Sequence, residues 1–110
     1  MEQIQIMIAS GIFPAGSKLP SVRELAAEAA VNPNTMQRAL LQLESNGLIY
    51  SQRTSGRFVT EDEDKIMQIK NSLAADLVHE FLFKMNQLGY DGQHTKELLE
   101  KIMREEEQNG

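Results

Sequence analysis

The 110-residue sequence has no cysteine and no tryptophan, and holds only three prolines. Without cysteine there is no disulfide framework, thiolate zinc site, iron–sulfur cluster or cysteine nucleophile, a usage that suits a reducing cytoplasm. No apolar run approaches the roughly 18 residues of a membrane span, which excludes a membrane protein. The opening MEQIQIMIASGIF lacks the basic region and longer apolar block of a secretory signal and reads as part of the fold. There is no Ser/His/Asp set, no paired-carboxylate context and no Gly-rich phosphate loop, so neither an enzyme nor a cofactor is expected. His79 and His94 have no partner at a metal-ligand spacing such as HxxxH and read as surface or half-buried residues. Six methionines read as gap-filling core residues.

Positive charge is also scarce. Eleven Lys and Arg against sixteen Asp and Glu leave a net charge of −5, unpromising for a nucleic-acid binder until it is divided by position. Residues 1–60 hold five basic against four acidic side chains, and residues 61–110 hold six against twelve. The near-neutral half can present a basic face to phosphates while the acidic half is held away or serves another purpose. The division falls at Glu61-Asp62-Glu63-Asp64, a solvated linker and helix N-terminus where acids suit the dipole. A chain this short buries only about two-thirds of its unfolded surface, so help from a partner subunit is expected.

Ile4, Met7 and Ile8 recur at helical spacing, and Gly11 sits where a helix C-terminal glycine would. Ile12 to Pro20 reads as a loop. Ser21-Val22-Arg23-Glu24 is a capping box, which opens a helix at Val22 with Leu25, Ala26 and Ala29 on its apolar face, running out near Ala30. Asn32 before Pro33 is a second start, because asparagine caps well and proline at the first helical position loses only an orphan amide. Met36, Ala39, Leu40 and Leu43 face inward on that helix, and Gly47 closes it. Two short helices joined by two or three residues predict a helix-turn-helix. The period then turns extended, with Leu48 to Gln52 and Arg57 to Thr60 flanking Arg53-Thr54-Ser55-Gly56 as a β-hairpin. From Ile66 the helical period returns: Ile66, Ile69, Leu73, Leu77, Phe81, Met85 and Leu88 are spaced by three or four. Val78, Leu82 and Phe83 widen that stripe. Gly89 to Gly92 breaks it, and a last helix carries Leu98, Leu99, Ile102 and Met103 before a tail of glutamates, Glu105 to Glu107, expected to fray.

The fold class is therefore mainly α with a small β-hairpin: a winged helix-turn-helix over 1–60, followed by a two-helix dimerisation region over 61–110. On the Pro33 helix the inward set leaves Asn34, Thr35, Gln37, Arg38 and Gln42 pointing elsewhere. Asn and Gln pair bidentately with adenine and Arg with guanine, while Thr touches a thymine methyl or a phosphate. Arg23, beside the free amides of its helix N-terminus, is placed to grip a phosphate. Arg53 and Arg57 flank the hairpin turn, where a wing reaches a neighbouring backbone or the minor groove. The seven-residue stripe from Ile66 to Leu88 is expected to form a homodimer seam.

LPSVRELA, VNPNTMQRAL, LESNGLIY and SGRFVTED, in that order and spacing, resemble the DNA-binding half of the GntR family of bacterial transcription regulators, and the NPNT start with a short two-helix C-terminal part resembles the YtrA-type subfamily. The likeness covers about residues 4–64 closely and the rest only in helical layout. It implies a cytoplasmic winged-helix repressor that dimerises through its C-terminal helices, binds an inverted-repeat operator, and controls a transporter operon or its own. The family's DNA-contacting positions fall on Arg23, Asn32, Asn34, Thr35, Gln37, Arg53 and Thr54. Pro33 stands where larger subfamilies often place a base-reading arginine, which makes Arg38 or Gln37 the candidate replacement. A second glycine, common in the wing, is missing here, and relatives usually carry several residues before the equivalent of Glu2. The alternative reading is a winged-helix interaction module whose acidic half binds a protein or effector. No effector is named by the residues, and two helices leave little volume for a pocket of about 300 Å³ or more.

Overall fold

The computed structural model describes residues 2–109. Five helices and one hairpin follow in the order α1 (Glu2–Ala9), α2 (Val22–Ala29), α3 (Pro33–Ser45), β1 (Ile49–Gln52), β2 (Gly56–Val59), α4 (Glu63–Gln87) and α5 (Gly92–Asn109). The chain forms two compact units, one ending at Leu73 and the other beginning at Ala74.

The first unit is built around Ile4 and Ile8 of α1, Leu25 and Ala26 of α2, and Met36, Leu40 and Leu43 of α3, closed by Leu19, Leu48, Ile49 and Val59. Each helix begins and ends for a local reason. At α2 the Ser21 hydroxyl accepts from the Glu24 amide at 3.2 Å while the Glu24 carboxylate accepts from the Ser21 amide, the full capping box. The helix ends at Ala30, whose φ of 55° lies in the left-handed region. That reversal lets the Val31 amide reach back to the Ala26 carbonyl and turns the chain into α3. Asn32 caps α3 through its side-chain oxygen, which accepts from the Asn34 amide at 2.7 Å, and Pro33 follows at the first helical position. At the far end Gly47, with φ of 78°, permits the Leu48 amide to close on the Leu43 carbonyl.

The wing is more than the expected hairpin. β1 and β2 pair antiparallel with Ile49 opposite Val59 and Tyr50 opposite Phe58, whose rings stack at 5.6 Å. On the other side of β2 the segment around Lys18, read from sequence as loop, pairs as well: Leu19 donates to the Arg57 carbonyl and Val59 donates to that of Ser17.

Helix α4 opens at Glu63, inside the acidic run read as a helix N-terminus, because the Asp62 carboxylate accepts from the amides of Asp64 and Lys65 at 3.0 and 3.2 Å and caps the helix. The compact unit runs past residue 60 to Leu73. Ile66 and Ile69 are half-buried and pack against the winged-helix core, and the Lys65 ammonium lies over Gly47, 2.5 Å from where a Cβ would stand. The glutamate tail does not fray: α5 continues to Asn109.

The second unit holds the rest of α4 and all of α5. Gly89, with φ of 96°, ends α4, and Asp91 starts α5 by accepting from the His94 amide and from His94 Nδ1, both at 2.8 Å. Those bonds hold the Asp91 carboxyl below its usual range and raise the His94 imidazole above 6.5. Thr95 alone among the described residues of this unit is buried, while Leu77, Val78, Phe81, Leu82, Leu99 and Ile102 are exposed. A surplus of apolar surface on so small a unit is more than scattered exposure accounts for.

Candidate nucleic-acid interface

The sequence and capping of α3 decide which of its residues reach outward. With Met36, Ala39, Leu40 and Leu43 buried, the helical period turns Asn34, Thr35 and Arg38 to solvent, and all three are exposed. Gln37 is half-buried at the flank, and Gln42 is exposed on the other. These donors and acceptors occupy a single helix of 13 residues, thin enough to enter a major groove. Asn32 is exposed, and its side-chain oxygen accepts from the Asn34 amide as the cap of α3.

Arg23 is exposed in the first turn of α2, and Arg53 and Thr54 are exposed at the tip of the wing. Between them lies a cleft of about 470 Å³ lined by Lys18, Ser21, Glu24, Thr54, Ser55 and Arg57, among others. Lys18 bends over the wing turn, its Cε 3.2 Å from the place a Cβ would take on Gly56.

Arg57 stands differently from the expectation of a free wing-tip contact. Its Nε donates to the Glu44 carboxylate at 2.7 Å, with the two side chains 20% and 24% exposed, and the Ser51 hydroxyl donates to the same carboxylate oxygen. The bonds from Ser51 and Arg57 hold the Glu44 carboxyl below its usual value. One acid at the end of α3 thus fastens both strands of the wing to the helix that carries the polar face. Sequence reasoning missed Glu44 and Ser51 because the partners lie seven and thirteen residues away along the chain. It also missed Leu41, a large apolar residue 49% exposed on α3. The helical period carries the signal there, since Leu41 falls outside the inward set.

Of the expected seam, Ile66 and Ile69 pack on the winged core instead of standing free, and Leu73 and Met85 are half-buried. Leu77, Phe81 and Leu88 remain exposed, at 68%, 39% and 75%. Leu77, Val78, Phe81 and Leu82 with Gly92, Thr95, Lys96 and Leu99 line an open groove of about 400 Å³, more room than the two helices were expected to leave. No helix of the described residues is long and apolar enough to cross a membrane, and none of their His, Asp and Glu side chains group so as to hold a metal ion.

A helix-turn-helix with a polar outer face and a hairpin braced beside it defines the winged helix-turn-helix class of DNA-binding proteins. Residues 1–59 match the gntR family of bacterial regulatory proteins. The chain is 37% identical over 87 residues to the HTH-type regulator YhcF of Bacillus subtilis, a match covering 79% of this chain and 69% of that protein. It is 38% identical over 79 residues to the HTH-type transcriptional repressor YtrA of the same organism, covering 66% of this chain and 61% of YtrA. A solved GntR family transcriptional regulator from Listeria monocytogenes superposes with a TM-score of 0.81 at 39% identity, over 91% of this chain and 88% of that one. The chain belongs to the GntR family and is a DNA-binding transcriptional regulator.

Proposed function

We propose that the chain is a dimeric repressor that binds an inverted-repeat operator, and that it controls a transporter operon or its own. Asn34, Thr35, Gln37 and Arg38 read base edges in the major groove, while Arg23, Arg53 and Thr54 hold the phosphate backbone and Arg57 braces the wing. The observation that carries the reading is the outer face of α3, which gathers exposed polar side chains of the types that pair with base edges, opposite a buried apolar face. The name of YtrA supports repression, and the subfamily resemblance supports the choice of operon. Support for the homodimer comes from the exposed apolar surface of the second unit, including Leu77, Phe81 and Leu88.

Binding of the full chain to palindromic and half-site duplexes, measured against salt, tests this. Each neutralised phosphate contributes a slope of about −0.9 in log affinity against log salt, so cations from two subunits give a steep fall. The palindrome should be strongly preferred, because joining two readers raises affinity by about 10² to 10⁴. Asp at both Leu77 and Phe81 places carboxylates in a dry seam and should yield a monomer without that preference. A flat salt response would favour the interaction-module reading. Sedimentation showing the unmodified chain as a monomer would remove the dimer.

A further inference from the structure

Leu41 occupies a part of α3 where about half of a leucine side chain is left in solvent. Its side chain is 49% exposed, whereas its neighbours Leu40 and Leu43 are 1% and 2% exposed in the core. Position 41 stands seven residues after Asn34 and three after Arg38, and at 100° per residue those spacings set all three on one outward stripe. Leu41 lies about 10 Å beyond Asn34 along the helix axis, within the reach of a single half-site. Every other exposed side chain of α3 beyond Pro33, namely Asn34, Thr35, Arg38, Gln42 and Ser45, is polar. An apolar group in the midst of polar base readers matches one feature of the major groove, since the C5-methyl of thymine is the apolar group that a base edge presents there.

We infer that Leu41 is a specificity-determining residue that recognises a thymine methyl in the operator half-site. The inference rests on the assignment of α3 to the major groove and adds to it an apolar reader. Desolvating one methyl against leucine is worth about a fourfold change in affinity for each half-site.

The probe is a duplex enriched by the full chain from a randomised pool, in which each thymine is replaced in turn by deoxyuridine, removing the methyl and nothing else. One thymine per half-site should weaken the unmodified chain about fourfold when replaced. Leu41→Ala and Leu41→Gln should bind the thymine and deoxyuridine duplexes equally, and Leu41→Met should keep the discrimination. Because the side chain is half-exposed and alanine and glutamine are good helix formers, these variants keep the fold. A replacement series that never weakens the unmodified chain, or that weakens it and Leu41→Ala alike, overturns the inference while leaving α3 in the groove. Unchanged affinity in all three variants, as a protein partner at Leu41 would give, also overturns it. If the full chain enriches no duplex, the groove assignment itself fails and the inference falls with it.

Discussion

Ala30 carries the left-handed turn between α2 and α3 without the freedom of glycine. An L side chain in that region costs about 1 to 2 kcal/mol, part of which glycine recovers after its own entropic loss. Ala30→Gly should therefore raise stability by about 0.5 to 1 kcal/mol, read as a higher thermal midpoint. A lower midpoint would contradict the left-handed turn. Glu44 makes the opposite case, because a single carboxylate satisfies Ser51 and Arg57 together. Glu44→Gln retains the oxygen but loses the charge, and should cost about 1 kcal/mol at neutral pH. The folded carboxyl is held below its ordinary 4.5, so its contribution is present above that pH and disappears as pH falls through the folded value. Denaturant midpoints of Glu44→Gln and the unmodified chain should accordingly converge in acid. A gap that persists there would show that the charge is not what binds the wing.

The two helices of the helix-turn-helix were legible because their signals are local: Ser21 to Glu24 and Asn32-Pro33 state two helix starts within a few residues each. The pairing of Ser17 to Leu19 with β2 was not legible, since its partners lie about forty residues later and no alternation marks so short a segment. The Glu44 partner of Arg57 was not legible for the same reason, since it reaches the hairpin from another element. The glutamates near the end of α5 looked like a frayed tail by charge, yet glutamate and arginine are strong helix formers and the helix continues through them. At the scale of the elements, α3 and the wing should fail differently when altered. Arg38→Ala or Gln37→Ala should lower operator affinity by roughly 1 to 3 kcal/mol and relax base preference, whereas Arg53→Ala should weaken all sequences more evenly. Competition binding against mismatched duplexes separates the two, and equal relaxation in both would mean that the wing also reads sequence.

For the molecule as a whole, the charge step at residue 60 located the start of α4 but not the end of the compact unit, because packing of Ile66 and Ile69 obeys apolar contact rather than charge. A fragment of residues 1–73 should consequently be a folded monomer that binds a half-site and its palindrome with similar, weak affinity. A fragment of residues 1–60, stripped of Lys65, Ile66 and Ile69, should melt lower. Equal melting of the two fragments would show that the first turns of α4 add nothing to the core. The small sheet has a further effect on how the chain behaves when concentrated. With β1 on one side of β2 and Ser17 to Leu19 on the other, the central strand has no open backbone edge. The remaining edges are four residues long or less, and the shorter is bracketed by Pro14 and Pro20, which have no N–H to offer an incoming strand. Fibrillar stacking through the wing is thereby disfavoured, and the stickiness of the molecule is confined to side chains.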